Sequence, residues 1–160
     1  MTAMEEHPSP PPRQRRAPRF SHADRRHRGR ALALMALYEA DIVGHAPLDV
    51  VARLGADERV PEETRAFAAR LVAGVEREQA DLDRRIARVA PQFPVEQLAP
   101  VDRNLLRIAL YEMLHEPETP IAVAVSEAVD LAHVFGSDSS PRFVNGVLGA
   151  LGREQQRENG

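Results

Sequence analysis

Hydrophobic positions in this chain recur at spacings of three and four, and no run of alternating residues bounded by turn signals interrupts them. Helices are therefore expected throughout, and strands nowhere. The densest apolar run is VDRNLLRIALYEML, from Val101 to Leu114. At about 100° per residue, Leu105, Leu106, Ile108, Ala109, Leu110, Met113 and Leu114 cover roughly two thirds of a helix's circumference. Only a wedge around Arg103, Asn104, Arg107 and Tyr111 is left to face water. A helix that apolar has to be wrapped by others, so it is expected at the centre of the fold, with Asp102 as its N-cap.

Start and stop signals divide the rest of the chain. Ser21 or Asp24 can cap a helix reaching about Val43, with Leu32, Met35, Tyr38 or Glu39, and Ile42 on one stripe, and Gly44 ends it. Pro47 opens a short helix through Leu54, and Gly55 stops it. Pro61, Glu62 and Glu63 begin a long helix whose stripe is Phe67, Leu71, Val75, Leu82, Ile86 and Val89. Gly74 lies on or near that stripe, where a glycine predicts close approach of another helix. Pro91, Pro94 and Pro100 leave space for only a turn around Val95 to Leu98. After Pro117, Thr119 and Pro120 form a cap-plus-proline start for a helix burying Ile121, Val125, Ala128, Val129 and Ala132, up to Gly136. Ser140 and Pro141 repeat that signature before a last helix bearing Phe143, Val144, Val147, Leu148 and Leu151. The expected class is all-α, a compact single-domain bundle of about six or seven helices around a buried central one. That domain is placed at residues 23–152, after a disordered Arg/Pro-rich arm over 1–22 and before a charged tail, 153–160, that frays.

Composition narrows the chemistry. A chain of 160 residues with 43% hydrophobic content can bury one core, and it holds no apolar run long enough for a bilayer and no export-signal h-region. A cytoplasmic location with no membrane association is expected. Cysteine is absent and all 21 basic residues are arginine, which removes disulfides, thiolate nucleophiles, the phosphate-loop lysine and Schiff-base chemistry. The six histidines include no pair at helical metal-ligand spacing, and no G-x-S-x-G or glycine-rich phosphate cradle occurs. No catalytic residue, metal or cofactor is expected, and so no enzyme. Glu112 is the one oddity: it projects into the apolar arc of the central helix, where an unpaired charge is costly, so an arginine or backbone-donor partner is expected for it.

Charge is unevenly placed. Residues 1 to 30 carry eight Arg against three acids, a net +5, while the remainder carries 13 Arg against 21 acids, a net −8. Five basic side chains, Arg25, Arg26, His27, Arg28 and Arg30, fall in the first turns of the first helix. There they oppose the macrodipole at a cost of about 0.3 to 1 kcal/mol each. A purely structural account does not place them there, and an anionic partner, nucleic acid first, explains them better; the acidic remainder is free to meet something basic.

These residues carry a resemblance. Arg26-His27-Arg28-Gly29-Arg30, then ALYEAD, LAPVDRNLLRIALYEML, PIAVAVSEAVDLAHVFG and PRFVNGVL, over about residues 25 to 151, resemble the NusB family of transcription antitermination factors. The resemblance implies a compact all-helical fold and a non-catalytic role. It implies pairing with NusE, the ribosomal protein that doubles as a transcription factor, and binding of the single-stranded boxA element of nascent ribosomal RNA transcripts within an RNA polymerase antitermination complex. It leaves homodimerisation open. By motif, Arg25, Arg26, His27, Arg28 and Arg30 match the family's RNA-binding start, with histidine replacing one arginine of the usual run. Tyr38 matches the tyrosine of the first helix, and Arg142 and Asn145 match positions near the RNA. Asp102 matches an acidic position facing NusE, and Glu112, Asp138 and Ser139 complete the implied partner-binding set, Ser139 standing where members often have an acid. Guanidinium forks suit phosphates and unpaired bases, and acidic side chains suit a basic ribosomal protein. Two other readings are a NusB-like domain of a ribosomal RNA cytosine methyltransferase, disfavoured without a cysteine, and a small DNA-binding regulator. The regulator's recognition helix would have to be the rather apolar Arg142–Leu151 stretch.

Overall fold

The computed structural model describes residues 20–160. Six α-helices follow one another: α1 (His22–Val43), α2 (Pro47–Leu54), α3 (Glu62–Val89), α4 (Pro100–His115), α5 (Ile121–Phe135) and α6 (Ser140–Asn159), with a 3₁₀ turn at Val95–Gln97. No strand occurs among the described residues. Residues 1–19 of the expected arm lie outside the described residues, and Ser21 already caps the first helix.

That cap is a reciprocal one. The Ser21 hydroxyl accepts the Asp24 N–H at 3.1 Å, while the Asp24 carboxylate accepts the Ser21 N–H at 3.2 Å. The hydroxyl and backbone bonds from Ser21 hold the Asp24 carboxyl below the ordinary carboxylate range. Its contribution to stability is therefore fully present above the ordinary value and disappears as pH falls through the lowered one. Ser21→Ala is expected to cost about 1 kcal/mol, read as a lower urea midpoint, and the loss shrinks when both proteins are compared in acid.

α4 is the central helix. It packs against α1, α3, α5 and α6, and every residue from Asn104 to Met113 is buried. Most of the wedge expected to face water does not: Arg103 stays partly exposed, but Asn104, Arg107 and Tyr111 are buried, because each finds a partner from a neighbouring helix. The Arg107 guanidinium donates to both oxygens of Asp83 at 2.8 and 2.9 Å, and the Asn104 amide donates to Asp41 at 2.8 Å. Tyr111 lies against Gly74 of α3, the close approach that this glycine predicts.

Three helix starts differ from expectation. Proline at the first-turn position opens α4 at Pro100, so Asp102 sits inside the first turn rather than capping it. α5 begins after Pro120 without a side-chain cap, since the Thr119 hydroxyl turns inward to donate to Glu112 at 3.4 Å. At α6 the Ser140 hydroxyl accepts the Ser137 N–H at 3.0 Å, and the helix starts at Ser140 itself. The tail expected to fray is helical: α6 continues past Gly152 to Asn159, with Arg88 of α3 donating twice to Glu154 at 3.1 Å. No described helix is long and apolar enough to cross a membrane.

Candidate RNA and protein interface

The first two turns of α1 splay their basic side chains among neighbouring helices. Arg25 donates to Glu63 of α3 at 3.1 Å, and its carbonyl accepts the Thr64 hydroxyl at 3.0 Å. His22 shares Glu63, and His27 pairs with Glu127 of α5. Arg26 lies over the Phe67 ring, 4.3 Å from its centroid, with Glu118 3.7 Å from Nη2. Arg28 is exposed, stacked 4.0 Å above the Phe20 ring, with no carboxylate within ion-pair distance among the described residues. Most of the cost of placing cations at this helix end is thus offset by acids of α3 and α5, the structural account that charge pattern alone does not supply.

Arg30 has to be removed from the RNA-facing set. Its side chain is 4% exposed and meets the 1%-exposed Glu112 side chain as a fork, Nε donating at 2.8 and 3.1 Å and Nη2 at 2.7 Å. The same contact removes Glu112 from the partner-facing set: a carboxylate enclosed by Arg30 and Thr119 cannot reach another protein. The arginine partner expected for Glu112 is present, and it comes from the cluster otherwise assigned to RNA.

Of the remaining candidates, Arg25 and His27 are partly exposed, Arg28, Tyr38, Arg142 and Asn145 are exposed, and Arg26 is mostly covered. Arg142 and Asn145 lie on α6, outside the two clefts that the α1 cations border. α6 packs on α5, α4 and α3. Val144, Val147, Leu148 and Leu151 bury one face of α6, and the opposite face carries Arg142, Asn145 and two glycines, Gly146 and Gly149, few polar readers for a recognition helix.

An apolar groove runs along α1 beside these cations. One cavity of about 450 Å³ is bordered by His27, Arg28, Met35, Leu54, Val60 and Phe135. A second of about 470 Å³ continues it past Tyr38, Ile42, Val43 and Val101, sharing Met35, Leu54 and Phe135. Val134, 71% exposed, stands on its wall. The expected buried stripe of α1 is therefore split: Leu32 is in the core, while Met35, Tyr38 and Ile42 face outward into the groove. The signal for it is legible, because three helices end in apolar residues directly before glycine, at Val43-Gly44, Leu54-Gly55 and Phe135-Gly136, and all three ends meet at this surface. Three partner-facing candidates adjoin it in the chain. Asp102, half-buried with Oδ1 lacking a partner among the described residues, follows Val101, and the exposed Asp138 and Ser139 follow Phe135 at the α5–α6 loop. On the far rim Glu39 accepts from Arg53 and His45, hydrogen bonds that hold its carboxyl below the ordinary range.

No group of three or more His, Cys, Asp and Glu side chains among the described residues is arranged to hold a metal ion. A sequence model described as the NusB family matches residues 27–153. The transcription antitermination protein NusB of Roseiflexus castenholzii is 47% identical over 141 residues, covering 86% of this chain and 99% of that protein. Among solved structures, T. maritima NusB superposes with a TM-score of 0.76 at 30% identity, over 81% of this chain and 91% of the other. A chain from a crystal structure of the antitermination factors NusB and NusE with double-stranded RNA superposes with a TM-score of 0.73 at 24% identity, over 81% and 97%, and shares the fold.

Proposed function

This chain belongs to the NusB family of transcription antitermination proteins, and from that premise we propose that it pairs with NusE and binds boxA RNA in nascent transcripts as part of an RNA polymerase antitermination complex. The observation that carries the reading is continuity: Arg28 and His27 border the same groove as Met35, Leu54 and Phe135, so a cationic lip and an apolar trough form one surface. The lip suits phosphates and stacked bases, the trough suits an apolar protein anchor, and Asp102 and Asp138 nearby suit a basic partner. In this reading the protein binds its partners without catalysing a reaction, acts in the cytoplasm where transcripts emerge, and uses Arg25, Arg26, His27 and Arg28 on the RNA side; Tyr38, on the wall of the trough, faces the protein partner instead. Arg142 and Asn145, exposed on α6, add to the RNA side in this reading.

Titrating the chain, with and without NusE, against boxA RNA, a scrambled single strand, the same RNA as a duplex, and duplex DNA tests it. Tightest binding to single-stranded boxA, strengthened by NusE, is expected; a preference for duplex DNA overturns the reading. Arg28→Ala is expected to weaken RNA binding a few-fold and to flatten the dependence of log affinity on log salt by about 0.7, one phosphate contact on a single strand. Phe135→Ala is expected to weaken NusE binding about tenfold, as truncating a buried aromatic anchor does, with RNA binding by the chain alone unchanged. Equal NusE affinity takes the groove out of the partner interface.

A further inference from the structure

Phe67 is buried in the core, yet three guanidinium groups gather on its ring: Arg26 at 4.3 Å from the centroid, Arg30 and Arg70 each at 5.2 Å. Their donors are spent differently. Arg30 forks onto Glu112, and Arg70 donates to Glu116 at 2.7 and 3.2 Å. Arg26 donates no hydrogen bond to any described residue: its Nε is buried without an acceptor, and the carboxylate 3.7 Å from Nη2 belongs to the exposed Glu118. A guanidinium carries five N–H donors, and this side chain is only 15% exposed. The Nε donor, withdrawn from water and unpaired, is costly, and the Nη donors make no hydrogen bond to a described residue and stay open to an acceptor. What compensates Arg26 meanwhile is the negative face of the ring. Gly29 allows the ring to be there, since a Cβ at that position would stand 2.9 Å from Phe67 Cδ1 and 3.1 Å from the Thr64 carbonyl oxygen. Beside the guanidinium opens a cleft of about 260 Å³ between the starts of α1 and α5, bordered by His22, Arg26, Arg30 and Thr119 and by two carboxylates: the exposed Glu118, and Glu127, which pairs with His27 and lies 3.7 Å from Arg30 Nη1.

We propose that Phe67 is a positioning residue for RNA binding: its ring holds the Arg26 guanidinium, donors unspent, at the mouth of that cleft to take one backbone phosphate. This rests on reading the first turns of α1 as an RNA surface. Glu118, the exposed carboxylate nearby, swings away as the phosphate arrives. Arg30 and Arg70 stay on their own carboxylates, and the ring is held by its burial in the core.

Two changes at position 67 test it, each titrated against boxA RNA over a salt series and against NusE. Pentafluorophenylalanine keeps the shape and inverts the ring quadrupole, and Phe67→Leu removes the ring. Both are expected to weaken RNA binding about three- to tenfold and to flatten the salt slope by about 0.7, leaving NusE affinity unchanged. Adding Arg26→Ala to either is expected to weaken binding no further. Should Phe67→Leu fail to fold, the fluorinated protein alone decides. A loss of RNA affinity with an unaltered slope, or with a parallel loss of NusE affinity, marks a loosened core and overturns the proposal. If Arg26→Ala weakens RNA binding while both ring variants bind normally, Phe67 positions nothing and the RNA reading stands. If Arg26→Ala is itself silent while Arg28→Ala is not, Arg26 lies off the RNA path and the proposal fails without touching that reading. If both are silent, the α1 surface is not the RNA site.

Discussion

Arg30→Met is expected to destabilise the fold by about 3 to 5 kcal/mol, measured as the loss of unfolding free energy in urea. The size follows from what is left behind. Methionine fills much of the arginine's volume, but the Glu112 carboxylate, 1% exposed, then keeps only the Thr119 hydroxyl at 3.4 Å. Breaking a buried pair by removing one member costs that much because the remaining charge stays desolvated and uncompensated. The double variant Arg30→Met, Glu112→Met separates this cause from lost packing. With both charges gone the penalty disappears, and the double variant is expected to recover most of the stability. A double variant no better than the single one would locate the loss in packing around Phe67 instead. RNA binding gives a second discriminator: below the unfolding transition, Arg30→Met is expected to bind RNA as the wild-type chain does, because the guanidinium, 4% exposed, has its donors spent on Glu112. A clear loss of affinity in the folded variant would return Arg30 to the RNA surface.

The same pair shows where sequence reasoning stops. Periodicity and capping residues locate the helices, because each element's start and stop is a local matter of φ restriction, hydrogen-bond capping and stripe spacing. Ser21, Gly44, Pro47 and Gly55 all stand at element ends for such local reasons. The burial of Glu112 is local too, fixed by its angle on α4, and so is its need for a partner. Which arginine supplies that partner is not local: Arg30 is 82 residues away in the chain, and nothing in its neighbourhood separates it from Arg28. The wedge on α4 fails for the same reason. Arg107 and Asn104 have the polarity of surface residues and become buried only because Asp83 and Asp41 arrive from other helices. The error on α1 has the opposite sign. Met35, Tyr38 and Ile42 keep a core-like spacing, yet no helix among the described residues covers them, so a stripe that reads as core becomes the wall of a groove. Apolar periodicity reports that a face is to be covered, and the cover can be another protein.

Gly74→Ala is expected to destabilise the chain by about 1 to 2 kcal/mol, although alanine is the better helix former. The two effects compete and their magnitudes decide the outcome. In the middle of α3, replacing glycine by alanine would gain about 0.5 to 1 kcal/mol from backbone entropy if nothing stood in the way. Here a Cβ would lie 2.1 Å from Tyr111 Cζ, 2.3 Å from Cε2 and 2.5 Å from the hydroxyl oxygen, all well inside van der Waals contact. Tyr111 is buried, stacked on His115 with centroids 5.0 Å apart, and its hydroxyl accepts from Arg77 Nη2 at 3.4 Å. The ring cannot shift without lifting α3 from α4 or breaking those contacts, and forcing an extra methyl into such a site costs about 1 to 3 kcal/mol or more. Strain exceeds the propensity gain, so the net sign is a loss. Trimming the partner tests that account: in a Tyr111→Leu background, with the ring gone, Gly74→Ala is expected to be neutral or stabilising. A double-mutant cycle in urea measures the coupling between the two positions. Equal losses in both backgrounds would mean that the glycine serves something other than this helix contact.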